Sequence, residues 1–457
     1  MPGPGDESDG GRTMPAIGQR TRTTGSVVVG LTCLAAASAV ATYLHRYGLS
    51  GLAVDREALR GWLSGDGLYA YRSEGSRLGT AQSPVAAMLL LPSAVLPLSL
   101  AGWLLGLAGV AALILALIAL AGPVARRYAK PRWSAVFVAG GLALISEPVR
   151  ATLGYGRLDL LLFGLLTADV VALRRGAWAR SRAAWWPGRT ASQPPRGRHP
   201  ADLLRRAWAT GAWAGVGTGI ATALAVSPVI FIGYLALTRQ WRAALTALGT
   251  AGALVLGGFL IAPAASATWF GTALLQVDRS GPIGTPVNQS LAGVLARLYD
   301  SDTIPVLIWL AFAGLLVAMG LIRARSAHAD GDEIAAFTLV GLTSAAIGPV
   351  THTHELIWVL PAVLILVDAA ARRRATRRPG PGRRFPGLGH AAGAAVVYLL
   401  CTVPPRWTVS WDADAFALIV LLNVLPWRPG VAPAFPINRW PRAVKRTPAI
   451  PGPRSNG

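Results

Sequence analysis

Between Ser26 and Leu425 the chain returns again and again to long apolar runs, many of them close to the roughly 20 residues a helix needs to cross about 30 Å of hydrocarbon. In lipid, a spanning segment must satisfy its own backbone N–H and C=O groups, and only helices and closed barrels do so. Runs of this length, without the two-residue alternation of barrel strands, specify helices. They fall at about 26–43, 101–121, 134–146, 158–173, 211–226, 228–237, 243–261, 304–322, 334–347, 356–367, 390–403 and 415–425. The expected fold class is therefore an all-α polytopic membrane protein with about eleven or twelve transmembrane helices. A composition of 53% hydrophobic and 14% charged residues over 457 positions excludes ordinary soluble domains.

Net charge is +22, almost all of it from arginine, since Lys130 and Lys445 are the only lysines. Nucleic-acid binding would need a basic face on a water-soluble domain with motif support, and none is present. The arginines instead collect at span ends: Arg126, Arg127 and Arg132; a Trp- and Pro-rich loop at 174–208; Arg239 and Arg242; Arg323 and Arg325; and a dense group at 371–387. Positive charge marks cytoplasmic loops, and all of these share one side if the N-terminus lies there too. Residues 1–25 then read as a disordered cytoplasmic tail, 26–427 as the membrane domain and 428–457 as a Pro/Arg-rich cytoplasmic tail, with the bilayer, in a plasma membrane, as partner. The first run lacks a small-residue cleavage signature and reads as a retained anchor. Cys33 and Cys401, far apart in apolar segments, define neither a disulfide framework nor a metal site.

Two stretches depart from simple spans. The run at 83–100 carries Pro84, Pro92 and Pro97 and is expected to lie half-inserted on the outer side. Ser227 and Pro228 interrupt an apolar stretch whose two ends are both basic, which predicts two short helices meeting inside the membrane. Broken backbone at that depth survives only beside protein or a wet cavity.

The complementary loops carry the scarce acids and the other reactive side chains. Asp55, Glu57, Asp66 and Glu74 follow the first span; Asp55 fits either a general base or a solvated interfacial helix. Arg150 and Arg157 flank a glycine turn, where guanidinium forks can clamp a phosphate or simply snorkel. Asp159 opens an apolar helix, as a functional acid or as a partner for Arg157, whereas Asp169 is expected to face headgroups. Asn288, Gln289 and Ser290 offer neutral donors and acceptors suited to sugar hydroxyls. His352 and His354 lack the i, i+4 spacing of zinc-protease motifs; a hydrogen-bonding, phosphate-facing pair is the preferred reading, and no metal or other cofactor is expected.

Taken in order, Leu52, Val54, Gly65, Leu68 and Tyr69; Pro148, Val149, Arg150, Gly156, Arg157 and Leu160; Ser227, Pro228, Arg239, Trp241 and Arg242; Pro263, Ser266 and Trp269; Arg279, Asn288, Gln289, Ser290, Gly293 and Arg297; and Pro349, Thr353, His354, Trp358 and Pro361 resemble glycosyltransferase family 87. The resemblance runs from the first span to about Pro361. It implies a C-type membrane glycosyltransferase fold with outer-face loops forming the site, and inverting, metal-independent transfer of mannose or a related sugar from a polyprenyl-phosphate donor to a glycolipid or cell-wall glycan acceptor. It implies Asp55 as base, Arg150, Arg157, Arg279 and His354 as donor phosphate or sugar ligands, and Asn288 and Gln289 as hydroxyl ligands. The sequence departs from the family pattern in placing Gly51 where the pattern has its catalytic Asp, Ala225 for a Lys, Arg157 and Asp159 for Gln-x-Asn, and Glu355 for the second His of a pair. Those departures leave open a silent member that binds a lipid-linked sugar or a partner enzyme; a lipid or solute transporter is the remaining alternative.

Overall fold

The computed structural model describes residues 30, 34–73, 78–185, 200–301, 303–375, 387–403 and 410–428. The tail at 1–25, nearly all of the tail at 428–457, Glu74 and parts of the two arginine-rich loops lie outside them. The described chain is helical throughout, as the run lengths require. Four helices are long and apolar enough to cross a membrane alone: Leu98–Arg127, Trp241–Ile261, Val306–Ala329 and the continuous stretch Thr353–Ala375. Arg132–Ile145 and Glu147–Tyr155 make a fifth if taken together across a 66° bend. The other apolar runs form shorter helices, among them Glu333–Ile347, Leu388–Leu400 and Ala413–Val424. Asp159–Trp185 has the length but carries Asp159, Asp169, Arg174 and Arg175.

The bend has a local cause. Pro148 has no N–H for the carbonyl of Leu144, so the helical ladder breaks there. The Tyr43 hydroxyl donates to that carbonyl at 2.9 Å, and the Glu147 N–H turns to the carbonyl of Cys401 at 2.6 Å. Both of these groups at the break thus find a partner, as burial away from water demands.

Ion pairs define one end of the bundle. Asp368 is buried; it accepts from Arg428 at 3.0 and 3.1 Å and from the Tyr128 hydroxyl at 3.1 Å, and it pairs with Arg372 and Arg127. Trp427 donates to Asp330 at 2.7 Å, and the Arg428 N–H to Asp332. The arginine-rich ends of Leu98–Arg127, Val306–Ala329 and Val359–Ala375 therefore meet, with the chain after Leu425 strapped across them. The loop at 174–208 is less linker-like than expected, because the helix begun at Asp159 continues through Trp185 and another spans Pro200–Thr210.

The interrupted apolar stretch forms Val216–Leu224 and Val229–Leu237, joined at residues 225–228, as the proline predicts. Ser344 donates to the freed carbonyl of Ser227 at 3.0 Å. Asp169 corrects the headgroup expectation: it is fully buried and accepts from the N–H groups of Gly217 (3.3 Å) and Thr218 (2.7 Å). It satisfies the open first turn of the half-helix Val216–Leu224, which has no side-chain cap of its own. The prolines at 83–100 give two short helices, Pro84–Leu90 and Pro92–Val95. Ser83 caps the first through the Ala86 N–H and donates to Ala223 at 2.7 Å.

Candidate active site

The end of the bundle opposite the arginine cluster gathers four connections. Helix Ser50–Ser64 buries Gly51, Leu52, Asp55, Ala58 and Leu59, a stripe at helical spacing. Asp55 shares that stripe and is only 3% exposed, so the solvated-helix alternative does not describe it. Its carboxylate accepts from Thr80 Oγ1 at 2.8 Å and Gln82 Nε2 at 3.1 Å, with Arg157 Nη1 at 3.5 Å. A carboxylate this deep must be hydrogen-bonded or paired, and this one is both. Two arginines of the helix clasp its neighbour: Arg56 donates to the carbonyls of Ser93 and Leu96, and Arg60 to that of Ala94.

Arg157 is aimed by the end of the preceding helix. Gly156 adopts φ 69°, the left-handed conformation that glycine tolerates, and the Arg157 N–H returns to the carbonyl of Thr152 at 3.0 Å, closing a Schellman-type terminus. Gly51 leaves room for the side chain: a Cβ there would lie 2.7 Å from Arg157 Nε and 2.8 Å from the carbonyl of Tyr155. Arg157 Nε is buried with no hydrogen-bond partner. Its ion-pair partner is Asp55, and Asp159 lies 3.9 Å from His354 Nε2.

On the far side of Arg157 stand His352, His354 and Glu355, in and beside the 3-10 turn Thr353–Trp358. The His352 and His354 rings stack at 5.3 Å, and Tyr155 meets His354 edge-on. Burial, then the neighbouring Arg157, pushes the His352 imidazole down to about 4, so it is neutral at neutral pH.

The remaining predicted ligands hold the frame. Arg279 donates to the carbonyls of Tyr69 (2.7 Å) and Thr80 (3.5 Å) and to Gln276 (2.8 Å). Burial, then Arg72, lowers its pKa, and burial raises that of Tyr69, the ring against which it lies. Thr80 thus links Arg279 to Asp55. Arg279→Lys keeps the charge and loses the fork; the expected result is faster hydrogen exchange at 78–83 together with slower turnover. Asn288 is fully buried, donating to Ile283 and Pro349 and accepting from the N–H groups of Ser290 and Thr351. Gln289 reaches Pro286 and the Ala415 N–H. These amides face backbone, where sugar hydroxyls were expected. Arg150 pairs with Glu147 at 2.7 Å and donates to Thr402, and no recorded contact joins it to Asp55 or Arg157. Thr80 and Gln82 were not anticipated; their signal is a pair of polar residues two apart just before the first proline of the 84–97 stretch.

An all-α membrane protein with a buried carboxylate beside a guanidinium and two imidazoles at one end of its bundle can abstract a proton and neutralise a departing anion in one place. Residues 82–351 match the model of glycosyltransferase family 87, and the chain belongs to that family; it is a glycosyltransferase. It is 28% identical over 338 residues, 69% of each chain, to a polyprenol-phosphate-mannose-dependent α-(1-2)-phosphatidylinositol mannoside mannosyltransferase of Mycobacterium tuberculosis. Against the Mycolicibacterium smegmatis protein of the same description it is 26% identical over 402 residues, covering 80% of this chain and 81% of that one. Among solved structures, ArnT from Cupriavidus metallidurans bound to undecaprenyl phosphate aligns with a TM-score of 0.35 at 14% identity, over 87% of this chain and 76% of that one.

Proposed function

We propose that the protein transfers mannose from a polyprenyl-phosphate donor to a membrane glycolipid of the phosphatidylinositol mannoside class, with inversion at the sugar carbon, on the outer face of the plasma membrane. The observation that carries this reading is the placement of Asp55 beside Arg157 and the His352–His354 pair, at the end away from the arginine-rich loops. Positive loops favour the cytoplasm, which supports a reading with the N-terminus and the Asp368 cluster inside and the candidate site outside.

In the proposed step the acceptor hydroxyl attacks the sugar carbon while Asp55 takes its proton. The bond from that carbon to the phosphate oxygen breaks, and polyprenyl phosphate leaves with the electron pair. Arg157, whose Nη1 lies 3.5 Å from Asp55, is the cation placed to meet the leaving group, with His354 beside it. Guanidinium matches phosphate oxygens in geometry as well as charge. Arg279, Asn288 and Gln289 hold the loops that position Asp55.

Purified protein in lipid nanodiscs should move radiolabelled mannose from polyprenyl-phosphomannose to added phosphatidylinositol mannoside, giving a lipid product with one more mannose. Absence of transfer from any lipid-linked sugar, in a protein that still binds the donor, would replace this reading with that of a silent family member.

A further inference from the structure

Three side chains close to the candidate base are arranged as a ligand set. One donor atom from each of His352, His354 and Glu355 can be chosen so that all lie within 4.8 Å of one another. His354 Nε2 stands 3.9 Å from Glu355 Oε1 and equally 3.9 Å from Asp159 Oδ2, so Asp159, outside that group of three, approaches the same imidazole from the start of helix Asp159–Trp185. In a tetrahedral site with metal–ligand bonds of about 2.0–2.2 Å, neighbouring donors lie about 3.3–3.5 Å apart, and side-chain movements of well under about 1 Å would close the two 3.9 Å separations. His354, the residue shared by both close contacts, is only 7% exposed, so the donors converge inside the protein rather than on its surface.

We propose that His352, His354, Glu355 and Asp159 form a binding site for one divalent first-row transition-metal ion of the zinc class, which fastens the Thr353–Trp358 turn to the first turn of helix Asp159–Trp185. Two imidazoles with two carboxylates suit such an ion; calcium and magnesium favour all-oxygen shells. The site goes beyond the transfer reading and does not rest on it, because the displacement step balances without the ion.

The test is binding rather than turnover. Full-length protein in nanodiscs, stripped with a chelator, is titrated with Zn²⁺ against a chromophoric competitor, with Mg²⁺ as the control ion. One equivalent of Zn²⁺ should bind, Mg²⁺ should not displace it, and Glu355→Gln and His352→Ala should each weaken binding at least about tenfold, while His390→Ala leaves it unchanged. Equal affinity in wild type and Glu355→Gln overturns the proposal. Because a variant can fail to fold, X-ray absorption of the Zn²⁺-loaded wild type gives a second reading: imidazole and oxygen scatterers at about 2.0–2.2 Å support the site, and an all-oxygen shell without imidazole overturns it.

Discussion

Asp55→Asn is expected to reduce the rate of sugar transfer by about 10²–10⁴-fold, the range associated with a positioned general base, while leaving the fold and donor affinity nearly intact. The replacement keeps the shape of the side chain. The Thr80 hydroxyl can still donate to the remaining carbonyl oxygen from 2.8 Å, and the Gln82 amide can turn over to accept from the new NH₂ where it now donates at 3.1 Å. Arg157 loses its anionic partner at 3.5 Å and becomes freer to hold the donor phosphate, so the loss should fall on kcat rather than KM. Glu57, two residues along the same helix, has a side chain 44% exposed and, among the described residues, pairs with Arg60, a kind of contact worth about 0–1 kcal/mol; Glu57→Gln is the matched control and should transfer at the wild-type rate. Steady-state assays on both variants, with thermal unfolding to confirm folding, decide the matter: wild-type turnover in Asp55→Asn removes Asp55 from the reaction.

Much of this architecture is legible in the sequence because the bilayer allows so few solutions. Run length, proline breaks and arginine placement foretell the helices, the Val216–Leu237 hairpin and the shared basic end. What they miss is how polar groups pair across elements distant in the chain. Asp169 reads as a headgroup-facing acid because its position near an arginine cluster is visible, whereas the unsatisfied N–H groups of Gly217 and Thr218, 48 and 49 residues later, are not. Arg157 and Asp159 read as a local pair, and Arg157 does act electrostatically on Asp159, yet the closest contact of Arg157 is with Asp55 and that of Asp159 is with His354. Asn288 attracts attention as a neutral sugar ligand, but a buried amide beside several open backbone groups finds its partners there. Asp55 is the instructive case: residue type alone favours the solvated helix over the base, and helical spacing reverses that, because Asp55 lies one turn beyond Gly51 and four residues before Leu59 on the face that packs inward.

Gly51→Ala should destabilise the protein where the same change on an open helix face would stabilise it. Glycine in a helix costs about 1 kcal/mol relative to alanine, so an unobstructed position gains from the methyl group. Here the added Cβ would meet the carbonyl of Tyr155 at 2.8 Å and Arg157 Nε at 2.7 Å. The carbonyl belongs to the end of helix Glu147–Tyr155 and cannot retreat without moving the glycine turn; the guanidinium can swing, but only by leaving Asp55. Overpacking of this kind costs about 1–3 kcal/mol, and displacement of Arg157 should lower transfer as well. The resemblance to family 87 places a carboxylate at position 51 and a glutamine at 157; losing the side chain at the first position is what makes space for the longer one at the second. A double-mutant cycle tests that exchange. Because part of the clash is with Arg157, Gly51→Ala should cost less in an Arg157→Gln background, with a coupling of about 0.5–3 kcal/mol between the two changes measured by equilibrium unfolding. If the two effects simply add, the crowding lies wholly with the Tyr155 carbonyl, and Gly51 does not make room for Arg157.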